Sequence, residues 1–258
     1  MATTFKLFGA QKVIAWVLGT SATVGAAIAD GVVTAITVAA GEGAAFADAS
    51  TVNPHKIKID NEIMWVVGRA SDTLTVQRAK DSTTAVGHSN GAAIMHLIPV
   101  RIPKVFAFTM SANIETIEFP GDGDVERVFQ PAGIDGTVGM SKFATDLIEK
   151  VGGVPPVTTG LHSDEAVRYH PELGDYAYSE LHVDMKAENE TTGANGTVRT
   201  TIYLAKLQDP FILGDAGNNE AQQTTFNWSS QATMLDLWGL PIPGVTAEEV
   251  HYAYSVLA

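Results

Sequence analysis

Between residues 111 and 119 polar and apolar side chains alternate, Ser-Ala-Asn-Ile-Glu-Thr-Ile-Glu-Phe, the period of a strand with one covered face. The run Pro120-Gly121-Asp122-Gly123-Asp124 then supplies a turn, and residues 125–130 and 134–138 read as two further short strands. After them the period changes. Phe143, Leu147, Ile148 and Val151 recur at i, i+4, i+5 and i+8, which places one apolar stripe on a helix over residues 141–151. Ser141 is its N-cap, Lys150 lies in its last turn, and Gly152-Gly153 ends it. No other stretch patterns so well as a helix. One helix among strands predicts a mainly β chain, a β-sandwich or barrel flanked by one α-helix.

The rest of the chain is strand and turn. Residues 12–18, from Lys12 to Leu18, read as a buried strand, and residues 1–29 as an N-terminal arm or the first strand of the core. The apolar run there is too short for a signal peptide, and no run approaches the length that spans a bilayer, so a soluble protein is expected. Residues 32–38, 57–59, 63–67, 74–78 and 92–98 read as strands, and 41–54 as a loop of small residues. Together they make a small β domain over residues 30–98, bounded by Pro99 and Pro103. Beyond it, over 99–258, Leu181, Val183 and Met185 alternate with His182, Asp184 and Lys186, and residues 199–207 return after a polar connection over 187–197. That connection contains Asn195-Gly196, a strong two-residue hairpin signal. It is too polar to order itself, which leaves two readings, an element fixed on assembly or an ordinary mobile hairpin tip. Residues 224–229 add a strand, 214–223 a loop, and the last stretch is either a helical turn from Thr246 or a strand over 251–257.

Composition narrows the function classes. A 258-residue chain with 45% hydrophobic and 17% charged residues is globular, with room for one large or two small domains. The net charge of −13 argues against a protein that grips phosphate backbones. The chain has no cysteine, which excludes disulfides and thiolate ligands.

Candidate chemistry is sparse. Gly87-His88-Ser89-Asn90-Gly91 matches the nucleophile elbow of α/β-hydrolases, with Ser89 as nucleophile. That motif needs a core strand before it and a helix after it, and residues 81–86 are Ser/Thr-rich turn material. Asp122, Asp124 and Glu126 alternate, but Arg127 stands where a calcium loop needs glycine. The seven histidines lack metal-ligand spacing. Asn189, Asn195 and Asn227 begin Asn-x-Ser/Thr triplets, which matter only in a secreted protein. The expectation is no catalytic, cofactor-binding or metal site, and no enzyme.

Two stretches resemble known families. Residues 57–64 (Ile-Lys-Ile-Asp-Asn-Glu-Ile-Met), 74–78 (Leu-Thr-Val-Gln-Arg), Thr83-Thr84-Ala85, His88 and Gly91-Ala92 resemble a small β module of bacteriophage tail and fibre proteins. This chain has Ser82 where the module usually has glycine, the residue that best supports a φ > 0 turn. Glu62, Arg78 and His88 are then read as a polar cluster tying strands together. Residues 114–153, with strand, acidic turn, strand and a helix ending Lys150-Val151-Gly152-Gly153, resemble the core of phage major tail tube proteins.

That second resemblance, extending by element order from residue 103 to the C-terminus, implies a structural subunit that self-assembles into stacked rings. The rings form a conduit through which DNA passes without specific binding, and the module becomes an added domain on the tube exterior. It implies a virion location in the tail after assembly in the host cytoplasm, with no membrane partner. Its partners would be copies of itself together with tape-measure, terminator and baseplate components. Another tail protein, a distal-tail or terminator component, is the alternative, and an esterase using Ser89 the remote one.

Overall fold

Strand alternation sets the architecture, and the computed structural model shows it over residues 5–120, 125–141, 147–151, 177–190, 192–208, 224–242 and 252–257. Among these residues the protein is mainly β, with thirteen strands and two short helical turns. The chain divides into two compact units. One consists of residues 1–15 and 100–258, the other of residues 16–99, inserted between them. Residues 16–29, expected in an arm or core strand, therefore split from residues 1–15 and belong with the module.

The inserted unit is built on one hairpin. Met64 and Val66 alternate with half-buried neighbours along β5 (Glu62–Ala70), while β4 (His55–Ile59) is buried at every position but Lys58; the two pair in register from His55↔Val66 to Ile59↔Glu62. Around it lie β6 (Thr73–Lys80) beside β5, β3 (Ala35–Thr37) beside β6, and β7 (Ala93–Ile102) beside β4, with β2 (Ala22–Thr23) on β7. Ile36, Phe46, Ile57, Met64, Leu74 and Ile94 form a single core. Full burial of such side chains contributes about 1.5–3 kcal/mol apiece before entropy is counted.

Three expectations are corrected here. The strand over 32–38 shrinks to Ala35–Thr37. The small-residue loop over 41–54 contains a 3-10 turn, Glu42–Phe46, because Asp72 accepts hydrogen bonds from the Gly41 and Gly43 amides and Glu42 accepts from Thr23. The strand over 92–98 does not stop at Pro99: β7 runs on to Ile102, and Pro99, Val100 and Ile102 are buried. The division at Pro99/Val100 falls within β7.

The other unit begins with β1 (Phe5–Leu18), whose last residues pass into the insert. Its sheet continues through β10 (Ser179–Asn189), β11 (Asn195–Leu207), β12 (Thr224–Ser230), β9 (Val125–Met140) and β8 (Val105–Pro120). One edge of β11 is shared, by β13 (Tyr252–Leu257) along residues 197–202 and by β12 along residues 205–207. The last stretch is thus a strand over 252–257, while 246–249 and 214–223 lie outside the described residues.

The two short strands over 125–130 and 134–138 are one. β9 is continuous, and a register shift opposite Asn113 and Ile114 leaves Ala132 as the extra residue of a bulge. The turn at 121–124 lies outside the described residues. Of the helix over 141–151, residues 147–151 form a π-helical turn, Leu147–Val151, and 142–146 lie outside. The polar connection also proves short. Residues 186–188 pair with 195–197, so Asn195-Gly196 sits within β11. The reversal instead uses Gly193 at φ 67°, with Gly193 N–H donating to the Asn189 carbonyl and Thr192 N–H to its side chain.

Candidate functional site

The densest polar constellation lies in the insert, where Glu62, the first residue of β5, faces Arg78 on β6. Arg78 Nε donates to Glu62 Oε1 and Nη2 to Oε2, each at 2.6 Å, a bidentate fork. Its remaining protons go to the carbonyls of Asp30 and Val33, both 3.1 Å from Nη1, and of Val86. All five guanidinium donors are thereby used. Glu62 also accepts from the amides of Ala79 at 3.1 Å and Val86 at 3.0 Å, and from His88 Nε2 at 3.0 Å. The other ring nitrogen of His88, Nδ1, lies 2.8 Å from Asp60 Oδ2.

Glu62 is fully buried, and burial alone would raise its pKa. The hydrogen bonds from Arg78, Val86, His88 and Ala79 overcome that and hold it at about 2. A carboxylate so saturated with donors has no lone pair to offer a substrate proton, and the guanidinium has no donor left for an anion. The cluster clamps the 30–33 and 86–88 loops to the β5–β6 hairpin. It holds the fold.

Ser89 lies outside this knot. It is exposed and follows His88, whose backbone forms a bridge with Ile28, and its carbonyl accepts from the Ala92 amide. Residues 81–87 before it are irregular and β7 follows it, so the strand–turn–helix geometry of a nucleophile elbow is not present. Among the described residues no group of three or more His, Asp or Glu could hold a metal ion, and no helix is long and apolar enough to cross a membrane. Of the acidic turn, Asp122 and Asp124 lie outside the described residues.

Two further polar arrangements escaped the sequence. In the insert, His55 and His96 are wholly buried and in contact, His55 Nδ1 2.9 Å from His96 Nε2. In the other unit β10 is covered on both faces from Ser179 to Asp184, so the alternation of Leu181 and Val183 with His182 and Asp184 does not mark one wet face. His182 Nε2 lies 2.6 Å from Glu180 Oε1, and Asp184 is gripped by Arg199, directly opposite on β11, at 2.6 and 2.9 Å. Lys12 joins that row, its pKa lowered first by burial, then by Arg101 and Arg199, against the pull of Asp184.

The backbone offers one more feature. β8 and β9 pair from Val105↔Met140 to Pro120↔Val125, but β12 accompanies β9 only along residues 134–140. Beyond that, residues 113–120 and 125–133 form a ribbon of two strands with no third strand among the described residues. At about 3.4 Å per residue it reaches roughly 25 Å. A two-stranded ribbon is marginal in water by itself. No protein-family model matches the chain, and no curated protein matches it either.

Proposed function

We propose that the chain is a structural subunit of a bacteriophage tail tube, assembling with copies of itself into stacked rings in the virion. The observation that carries this reading is the β8–β9 ribbon. Its segment Ile114-Glu115-Thr116-Ile117-Glu118-Phe119 is rich in β-formers, and both long edges of the ribbon lack a partner strand in the described chain. A strand edge of that length is supported by the backbone of a neighbour, as in β-augmentation. The resemblance of residues 114–153 to tail tube cores supports the same conclusion, with a sandwich or barrel core beside one helix. The acidic charge suits a conduit that must let DNA pass without holding it. Tape-measure, terminator and baseplate proteins are the further partners.

Negative-stain microscopy of the purified chain tests the reading, which requires rings or tubes. A variant in which Asn-Gly replaces residues 116–129, closing the hairpin at the Glu115↔Gln130 pair, should remain folded by circular dichroism and stay monomeric. A wild-type chain that stays monomeric at high concentration sinks the proposal, as do normal tubes from the shortened variant. The purified protein should not hydrolyse simple esters. Turnover that vanished in Ser89→Ala would favour the hydrolase reading instead.

A further inference from the structure

We propose that the buried His55–His96 pair is an acid-sensitive latch, which holds residues 42–49 against the sheet of the insert near neutral pH and releases them in acid. The proposal concerns the insert alone and stands apart from the tail-tube reading.

Four groups stand in line. Asp48 Oδ1 is 3.5 Å from His55 Nε2, His55 Nδ1 is 2.9 Å from His96 Nε2, and His96 Nδ1 is 3.3 Å from the Thr20 carbonyl. A carbonyl only accepts, so His96 Nδ1 carries a proton and donates it. Neutral His96 then accepts at Nε2, and His55 Nδ1 must be the donor of the bond between the rings. Proton occupancy is thereby settled from Thr20 outward. One further proton fits, on His55 Nε2, where the Asp48 carboxylate faces it. The next has only His96 Nε2 to go to. There it would oppose the His55 N–H across 2.9 Å and place a second cation beside the first, with ring centroids 5.0 Å apart and both residues out of water. The folded arrangement cannot take that proton and stay closed.

The surroundings show what opens. Phe46, the last residue of the 3-10 turn, lies 4.3 Å from the His96 ring and 6.4 Å from that of His55, centroid to centroid. Ala47 and Ala49 donate back into the same turn. Rings forced apart would displace Phe46 and the turn it anchors. On the turn segment Glu42 is engaged by Thr23 and Asp48 faces His55, while Asp72 accepts from the Gly41 and Gly43 amides. On β4, Lys56 is directed to Asp81 and over the Trp16 ring. Residues 19–20 present backbone only, through the Gly19 amide and the Thr20 carbonyl. Burial first, and His55 second, bring His96 down from 6.5 to about 4, against smaller upward pulls from Thr20 and Asp48. Opening is placed in that interval, above the range where Glu62 protonates.

Hydrogen exchange of the whole chain, corrected for intrinsic rates, reads the latch between pH 7.5 and 3.5. Amides over residues 42–49 should lose protection at least tenfold in acid while those of the β5–β6 hairpin keep theirs. His96→Gln retains a donor for Thr20 but removes the second protonation site, and should move the opening down by about one pH unit or abolish it. Asp48→Asn, at an exposed position, removes the counter-charge and should move it up. Gly19→Ala should open the segment at pH 7.5, because a Cβ there overlaps the His96 ring. Uniform protection of residues 42–49 down to pH 3.5 overturns the proposal. So does a wild-type pH profile in His96→Gln or, should that variant fail to fold, in Asp48→Asn.

Discussion

The Arg78 guanidinium meets the Glu62 carboxylate edge to edge, both nitrogen–oxygen distances 2.6 Å and both side chains almost wholly out of solvent. Removing one partner of such a pair strands the other, at a cost of about 3–5 kcal/mol. Arg78→Leu should therefore destabilise the insert by that amount in urea denaturation, and Arg78→Lys by less, because an ammonium keeps the charge and loses the fork. A loss below about 1 kcal/mol in Arg78→Leu would show that the cluster does not hold the fold.

Acid should act on the same pair in a defined window. Glu62 is lowered from 4.5 to about 2, so the folded state binds its proton less readily than the unfolded chain. Its contribution is complete above pH 4.5 and is lost as the pH falls toward 2, about 3 kcal/mol in all. The urea midpoint of the wild type should fall more steeply than that of Glu62→Gln between pH 4.5 and 2. Parallel curves would refute the assignment.

Ser82 should accept glycine with profit. Asp81 and Ser82 take φ of 51° and 63°, although neither is glycine. A side chain in the left-handed region costs about 1–2 kcal/mol, and glycine returns about 0.5–1 kcal/mol of that as unfolded-state entropy. Ser82→Gly should stabilise by about 0.5–1 kcal/mol in thermal or urea melts. Asp81 is the poorer test, since its carboxylate is 3.3 Å from Lys56 Nζ.

Gly136 should tolerate nothing larger. A Cβ there would overlap the Thr109 carbonyl oxygen and the ring of Trp228, which is buried and stacked on Phe108 at 5.9 Å. Gly136→Ala should cost about 1–3 kcal/mol, the usual range for overpacking. It should also shift the tryptophan signal in near-ultraviolet circular dichroism. An unchanged spectrum with unchanged stability would contradict the packing described.

Alternation made β5 and β6 legible, because each buries one face more deeply than the other. Resemblance made the Glu62–Arg78–His88 cluster legible, and the structure brings those three together. The misses share a cause: local pattern does not know what lies across the sheet. The bulge at Ala132 interrupts the period of β9 without interrupting the strand. Asn195-Gly196 reads as a turn yet pairs with residues 187 and 188 of β10. Glu180, His182 and Asp184 look like a wet face until partners cover it. The His55–His96 contact joins residues far apart in sequence, and its signal was only a histidine in each of two strand-like stretches, His-Lys-Ile-Lys-Ile and Ile-Met-His-Leu-Ile.

On the tail-tube proposal, the ribbon would make the subunit's durability a matter of mass action. If its third strand is supplied by a neighbour, folding and association draw on the same free energy, and the melting temperature climbs with protein concentration. Dilute subunits would be the ones a protease consumes, and incorporation would be what ends their exposure. A surplus of free chain would then clear itself, leaving the number of finished assemblies to be set by whatever nucleates them.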